Sequence, residues 1–326
     1  MVKKVILDVD TGSDDAVAIM FAALHPGTEL LGVTTVNGNV PLVNTTDNSL
    51  RVLDHIGAGE VGVHAGLSRP LVRHDFPAPK RFVRDSDRDM HGTELPLPAP
   101  TSRAHPLGAV EYIVQTARAL PGEVTLVPVG PLSNIAAALA VAPDLVELVP
   151  EVVVMGGAHQ FGNETPAAEF NIWADPEAAD MVLSAGFAKL TLVPLDATHQ
   201  ALVSLADVER LAGLGTPAGE AAAKLVQRRI SAYAAAGATG RDDAAPVHDA
   251  LCTAYLVRPE VISTRPVHVT VETRGDRTVG RTVMDLRSGT TAVPNCDVAF
   301  GADAALFNQL LLETFAHRRG QAGSEP

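Results

Sequence analysis

The sequence predicts an α/β protein: a single-domain, open, mostly parallel sheet with helices on both faces (Rossmann-like) and a late β-hairpin. Three observations carry this. Strand-length apolar runs alternate with helix-length periodic segments up to residue 64, and again from residue 106. That rhythm belongs to right-handed βαβ units. Apolar residues make up 46 % of the 326, enough to cover both faces of a large sheet. No internal repeat and no linker divides the chain, so residues 1–316 are expected to form one domain, followed by a disordered tail over 317–326.

The elements follow in order. Lys3–Val9 reads as the first strand and Ser13–Leu24 as the first helix, with Ser13 as N-cap and Asp14 and Asp15 suiting the helix dipole. Glu29–Val36 is a second strand, ending in Asn37-Gly38-Asn39. Leu42–Ile56 is amphipathic and helical, and Val61–His64 is a short strand. Ala65–Ala104 breaks the rhythm: it is rich in Pro, Arg, Asp and His, and a loop of that length is expected to be a functional lid or a disordered insert. It carries His91. A helix over Pro106–Leu120 and a strand over Glu123–Val129 restore the alternation. Gly130–Asn134 then turns into a helix through Leu139, and Asp144–Leu148 forms a short one. Glu151–Met155 is a buried strand, followed by the polar segment Ala158–Ala174. Asp175-Pro176 opens a helix, with Asp as cap and Pro in the first turn. Leu190–Val193 is a strand, Ser204–Ala212 and Pro217–Ala235 are helices, and Ala236–Val247 is a Gly/Asp-rich loop before a helix opened by His248-Asp249. Pro266–Thr273 and Thr278–Leu286 form the hairpin, Asp297–Phe300 a last strand and Asp303–Ala316 a last helix.

Composition narrows the function. A net charge of −13 argues against a nucleic-acid backbone or an anionic membrane as partner, but not against a small neutral ligand. Cys252 and Cys296 are far apart and lack metal-site spacing, which suits core packing in a reducing compartment. The start MVKKVILDVD runs straight into a strand, and no apolar run reaches membrane-spanning length. A soluble cytoplasmic protein is expected.

The polar clusters fall where strands end. Asp8, Asp10, Asp14 and Asp15 lie within eight positions after the first strand. Carboxylates that crowded repel unless something neutralises them, and a hard divalent cation suits oxygen donors. Capping explains one or two such acids, not four. Asn37–Asn39 follow the second strand, Asn163–Asn171 the strand Glu151–Met155, and His248-Asp249 a late loop. In an open parallel sheet ligands bind beyond the carboxyl ends of the strands. The residue types fit a cation with a polyhydroxylated ligand. Phosphate machinery is missing, since there is no GxxxxGK[ST] run. Bland readings stand beside these. Asn163, Glu169 and Asn171 could serve loop backbone groups. His248 could merely precede a capping Asp249. Trp173 suits core packing better than base stacking.

DVDTGSDDA, TTVNGN, VPVGPLSNIA, GNETPAAEFNIWADPEAA and VHDA together resemble the inosine–uridine-preferring nucleoside hydrolase family, in family order from near the first residue to about Leu256. Thr11 stands where that family has proline, and HGTEL matches its HGxxGL imperfectly. The resemblance implies Ca²⁺-dependent hydrolysis of the N-glycosidic bond of ribonucleosides. It implies Asp10, Asp15, Asp249 and the Val129 carbonyl as metal ligands, and Asp10 as general base. Asn39 would hold the water at the metal or a neighbouring carboxylate. Asp14, Asn171 and Asp249 would hold the ribose 2′- and 3′-hydroxyls, and Asn163 and Glu169 the 5′-hydroxyl. His248 would protonate or orient the leaving base, with His91 in contact with it, and Asp8 would orient the turn. Inversion at the anomeric carbon follows from single displacement. The family resemblance also implies a homodimer or homotetramer.

Two rivals remain from the residues. Asp8-Val9-Asp10-Thr11 looks like the DxDxT opening of haloacid-dehalogenase phosphatases, which would make Asp8 a nucleophile with Mg²⁺. A non-catalytic nucleoside or sugar sensor would keep the same pocket. Base preference is not legible, although His248 is compatible with a base-nonspecific or pyrimidine-leaning enzyme.

Overall fold

The computed structural model describes residues 2–77, 90–237 and 240–317. The expected tail beyond His317 lies outside the described residues, as does part of the long loop, residues 78–89. The strands are β1 (Lys3–Val9), β2 (Thr28–Thr35), β3 (Gly62–Ala65), β4 (Val124–Pro128), β5 (Glu151–Met155), β6 (Leu190–Val193), β7 (Leu202–Ser204), β8 (Ala244–Pro246), β9 (Ile262–Val271), β10 (Thr282–Asp285) and β11 (Cys296–Ala302). Nine form one sheet in the order β10-β9-β11-β6-β5-β4-β1-β2-β3. The run from β11 to β3 is parallel, and β9 and β10 add antiparallel strands at one edge.

Alternation along the strands splits the core in two. Val5, Leu7 and Val9 of β1, with Val127 and Val153, face a layer that includes the helices Ser13–Leu24, Pro217–Ala236 and His248–Val257. Ile6, Val124, Leu126, Val152 and Val154 face the opposite layer, with the helices Ala109–Ala119, Ser133–Val141 and Pro176–Leu183. Side chains that alternate across a strand need a covering layer on each face, and the amphipathic helices supply it. Among the described residues no helix is long and apolar enough to cross a membrane.

The chain leaves β1 towards β2 and β3 on one side, and returns to β4, β5 and β6 on the other. The order therefore reverses between β1 and β4, which opens a crevice at their carboxyl ends. Asp8 of β1 pairs in register with Pro128 of β4, and Val9 with Thr35 of β2. The Asp8–Asp15 loop thus enters the crevice directly.

Several expectations are corrected. Ser13 is not the N-cap: Gly12 holds that position, and the carboxylate of Asp15 accepts its N–H at 2.9 Å. The hairpin's first strand starts at Ile262, because β9 also pairs with β11. Its exposed Ser263, Thr264 and Arg265 mask the alternation. β7 and β8 form a separate two-stranded pair, with β8 inside the expected loop Ala236–Val247. Three-residue strands are too short to show a period. Short helices at Phe170–Ala174 and Leu195–Thr198 were also not legible.

Candidate active site

The carboxylates meet at the end of β1. Asp14, Asp15 and Asp249 are buried and place oxygens within 4.8 Å of one another. Asp249 arrives from the first turn of the helix His248–Val257, which packs on the helix Ser13–Leu24. Asp15 accepts the backbone N–H groups of Asp10 (3.1 Å) and Gly12 (2.9 Å), so its carboxylate is fixed by the loop that carries it. Asn39 ties two acids together: its N–H donates to Asp10 Oδ2 at 2.6 Å and its side chain to Asp15 Oδ2 at 3.3 Å. This approach needs glycine at 38, where a Cβ would lie 2.0 Å from Asp10 Oδ2.

Burial raises the pKa of Asp15 well above the ordinary carboxylate range, and the charges of Asp10 and Asp14 push it the same way. Asp249 is raised likewise by burial and by Asp14, Asp15 and Asp10. Such a site holds more negative charge than its surroundings neutralise. Its hard oxygen donors at short range fit a divalent cation.

Asp8 sits below this cluster. It is 1 % exposed, and its Oδ1 accepts from Thr34 (2.5 Å) and Asn134 (2.7 Å). Its Oδ2 is buried without a partner, and burial lifts the group to about 7. Asn134 also reaches the Thr35 carbonyl and accepts from Leu67 N–H, so it locks β1, β2 and the following loop at the reversal point. Thr11, where the family has proline, hydrogen-bonds Ser49 at 2.7 Å, and its carbonyl accepts from Asn48. The helix Leu42–His55 thereby pins the acidic loop.

The central segment divides. Asn171 is buried and donates to the carbonyls of Val129 (2.7 Å) and Met155 (3.2 Å). It therefore links the ends of β4 and β5 and touches the expected carbonyl ligand itself. Glu169 is 2 % exposed and accepts the N–H groups of Gly157, Asn171 and Ile172. It caps the helix Phe170–Ala174, yet burial still lifts it to about 7. Asn163 is exposed, and its oxygen takes the N–H of Phe170. For Asn163 and Glu169 the loop-backbone role is thus real. Trp173 is 2 % exposed and packs with Phe76 and Phe170, away from a stacking role.

On the other flank stands a group of rings. His248 is buried, with Nδ1 2.7 Å from Thr198 Oγ1 and Nε2 2.8 Å from the Tyr233 hydroxyl. Burial, reinforced by the charge of Arg229, lowers its pKa well below the usual value. A neutral imidazole offers one donor and one acceptor, and two hydroxyls match them. Burial raises Tyr233 to about 12, so its phenol keeps its proton. His199 lies 5.6 Å from the His248 ring centroid, with its Nε2 buried and unpartnered, and Phe161 packs edge-on against it at 5.2 Å. His91 joins from the long loop. Its Nδ1 accepts from Ser13 N–H at 3.3 Å and lies 3.9 Å from Asp14 Oδ1. A Cβ on Gly12 would fall 2.0 Å from that nitrogen.

Sequence reasoning missed Arg229, Thr198 and His199; Tyr233 sits on the helix before the late loop, and nothing in the sequence decides whether it faces the pocket. Arg229 had a signal: Ala222, Leu225, Val226, Arg229, Ile230 and Tyr233 form one helical stripe, buried throughout. A charge on an apolar stripe asks for a partner.

A family comparison decides what this constellation belongs to. The description of inosine-uridine preferring nucleoside hydrolases matches residues 5–309. The chain belongs to that family. This nucleoside hydrolase is 41 % identical over 288 residues to the pyrimidine-specific ribonucleoside hydrolase RihB of Escherichia coli (strain SE11), covering 87 % of each chain. Among solved structures it resembles the purine-preferring ribonucleoside hydrolase from Gardnerella vaginalis, with a TM-score of 0.86 and 32 % identity over 96 % of this chain and 98 % of that one. A plant nucleoside hydrolase, PpNRh1, superimposes with a TM-score of 0.84 at 30 % identity, covering 96 % and 99 %.

Proposed function

We propose that this nucleoside hydrolase cleaves the N-glycosidic bond of pyrimidine ribonucleosides, releasing base and ribose with Ca²⁺ bound at the acid cluster. The observation that carries the reading is the meeting of Asp14, Asp15 and Asp249, with Asp10 joined to Asp15 through Asn39, beside a buried Tyr233–His248 pair. Greater identity to a pyrimidine-specific enzyme than to a purine-preferring one supports the base preference.

Asp10, Asp15, Asp249 and the Val129 carbonyl would hold the cation. Asn171 leaves that carbonyl a second lone pair. Bound there, Ca²⁺ supplies positive charge to the carboxylates and polarises a water. The protein's own groups do the rest. Asp10 takes the proton of the attacking water as general base. Asp14, Asp249 and Asn171 hold the 2′- and 3′-hydroxyls, while Glu169 and the amide of Asn163 take the 5′-hydroxyl. The carboxylates favour the positive charge that develops on the sugar. The departing base gathers negative charge and needs a proton or a donor. Because His248 is neutral, it stores no proton. The Tyr233 hydroxyl would give its proton to the departing base and regain one through His248 from the Thr198 side, which recovers it from solvent, while Asp10 releases to solvent the proton taken from the water. His91, at the rim, contacts the base, and Asp8 steadies the loop from below. The burial of Asp8 counts against a phosphatase nucleophile. A cytoplasmic homodimer or homotetramer completes the reading, on family resemblance; size-exclusion chromatography with light scattering tests the assembly.

The test is ribose release from uridine, cytidine, inosine and guanosine. Uridine and cytidine are expected to turn over at least about tenfold faster by kcat/KM than the purine nucleosides. Turnover of purines alone would reject the base preference, and no release from any of the four would reject the substrate class.

A further inference from the structure

A guanidinium is buried inside the carboxylate site. Arg229 is 1 % exposed, on the helix Pro217–Ala236. Its Nη1 donates to Asp14 Oδ1 at 2.8 Å and to Ser13 Oγ at 3.0 Å, and its Nε donates to the Pro246 carbonyl at 3.0 Å. The Tyr233 ring lies 5.6 Å from it. Three elements thus hold one permanent cation against an acid of the cluster. Its field also reaches Asp249 and Asp15. An arginine does not lose its proton under any ordinary condition. It therefore stays a cation whether or not a metal is bound.

Two cations then share one set of carboxylates. Without a metal, Arg229 offsets repulsion that would otherwise oppose folding. With a metal bound, the two positive charges repel each other across a low-dielectric site. We propose that Arg229 is a positioning residue and internal counter-cation: it fixes Asp14, stabilises the metal-free enzyme more than the loaded one, and weakens binding of the divalent cation. The proposal rests on the reading that a divalent cation occupies this cluster. By linkage its two halves are one statement, since a charge that favours the empty folded state over the loaded one must lower affinity by the same factor.

Arg229→Gln tests it, because glutamine keeps a polar donor at the place of Nε, which faces the Pro246 carbonyl, but carries no charge. The full chain is stripped with chelator, titrated with Ca²⁺ by calorimetry, and melted in EDTA and in saturating Ca²⁺. The variant is expected to bind Ca²⁺ about tenfold or more tightly than the parent. Its melting temperature should fall by roughly 2 °C or more further in EDTA than in Ca²⁺, the shift that a tenfold affinity change implies for a chain of this length. Arg229→Lys, which keeps the charge, should bind within about threefold of the parent. The pair D14N/R229Q removes the acid with its partner and should recover metal-free stability relative to R229Q. Weaker or unchanged binding by R229Q, equal melting losses in both conditions, or no recovery in the pair would overturn the proposal. A parent that binds no divalent cation would overturn the underlying reading as well.

Discussion

Acids gather at both ends of the same sheet, and the two groups are built in opposite ways. At the amino end, Glu151 starts β5 with both oxygens committed, each 2.5 Å from a lysine: Lys3 of β1 and Lys189 before β6. Burial pushes Glu151 up, but hydrogen bonds and charge from Lys189 and Lys3 outweigh it, and its pKa falls below the ordinary value. At the carboxyl end, Asp15 and Asp249 are buried among other acids and pushed up, with Arg229 as a cation beside them. The first arrangement is at rest. The second is left wanting positive charge, which on the proposed reading a cation and a sugar that becomes cationic would supply. The same chemistry serves stability at one end and function at the other.

The sharpest way to break this contrast is at the carboxyl end. Asp10→Ala should lower kcat for uridine by about 10²–10⁴-fold, the range of a lost general base, with little loss of fold. A drop below about tenfold would show that Asp10 only supports Asp15. Tyr233→Phe comes next. Loss of the hydroxyl on His248 should reduce kcat for uridine by roughly 10–100-fold, while a nitrophenyl riboside, whose leaving group needs no proton, should lose far less. Equal losses on both would deny Tyr233 a part in base departure. Phe161→Ala should raise KM for uridine by about two- to fivefold through its contact with His199, leaving kcat nearly intact. At the amino end, Glu151→Gln should leave kcat unchanged and cost about 1–2 kcal/mol of stability near neutral pH. A depressed carboxyl pKa contributes stability above the unfolded value, near 4.5, and loses it as pH falls through the lower folded value. The variant and parent should therefore converge progressively in chemical denaturation as pH falls below about 4.5. A constant gap at every pH would contradict the ion-pair account.

The sequence was legible where a function sits on contiguous residues. β1 and the helix Ser13–Leu24 fall at the expected boundaries, because an apolar run, a glycine turn and a periodic segment follow one another. Asp10, Asp14 and Asp15 came with them, and Asn39 at the next strand end hydrogen-bonds Asp10 and Asp15. The ring side was not legible. Tyr233, the neighbouring pair Thr198-His199 and Phe161 come from three separate places in the chain, and no spacing joins them. His91 lies in a loop without period, yet it packs directly on Gly12. The start of the long β9 was hidden because Ser263–Pro266, just after its first residue, are exposed to water. Local chemistry is readable from spacing, whereas a pocket assembled from distant turns needs the fold.

The most direct test is ribose release from uridine by chelator-stripped enzyme as Ca²⁺ is returned, for the parent and for Asp249→Asn. Activity should vanish on stripping and return with Ca²⁺ in the parent, while the variant, lacking one carboxylate of the cluster, should need far more Ca²⁺ or fail to recover. Uridine turnover at the full rate in stripped enzyme would contradict the account at its centre.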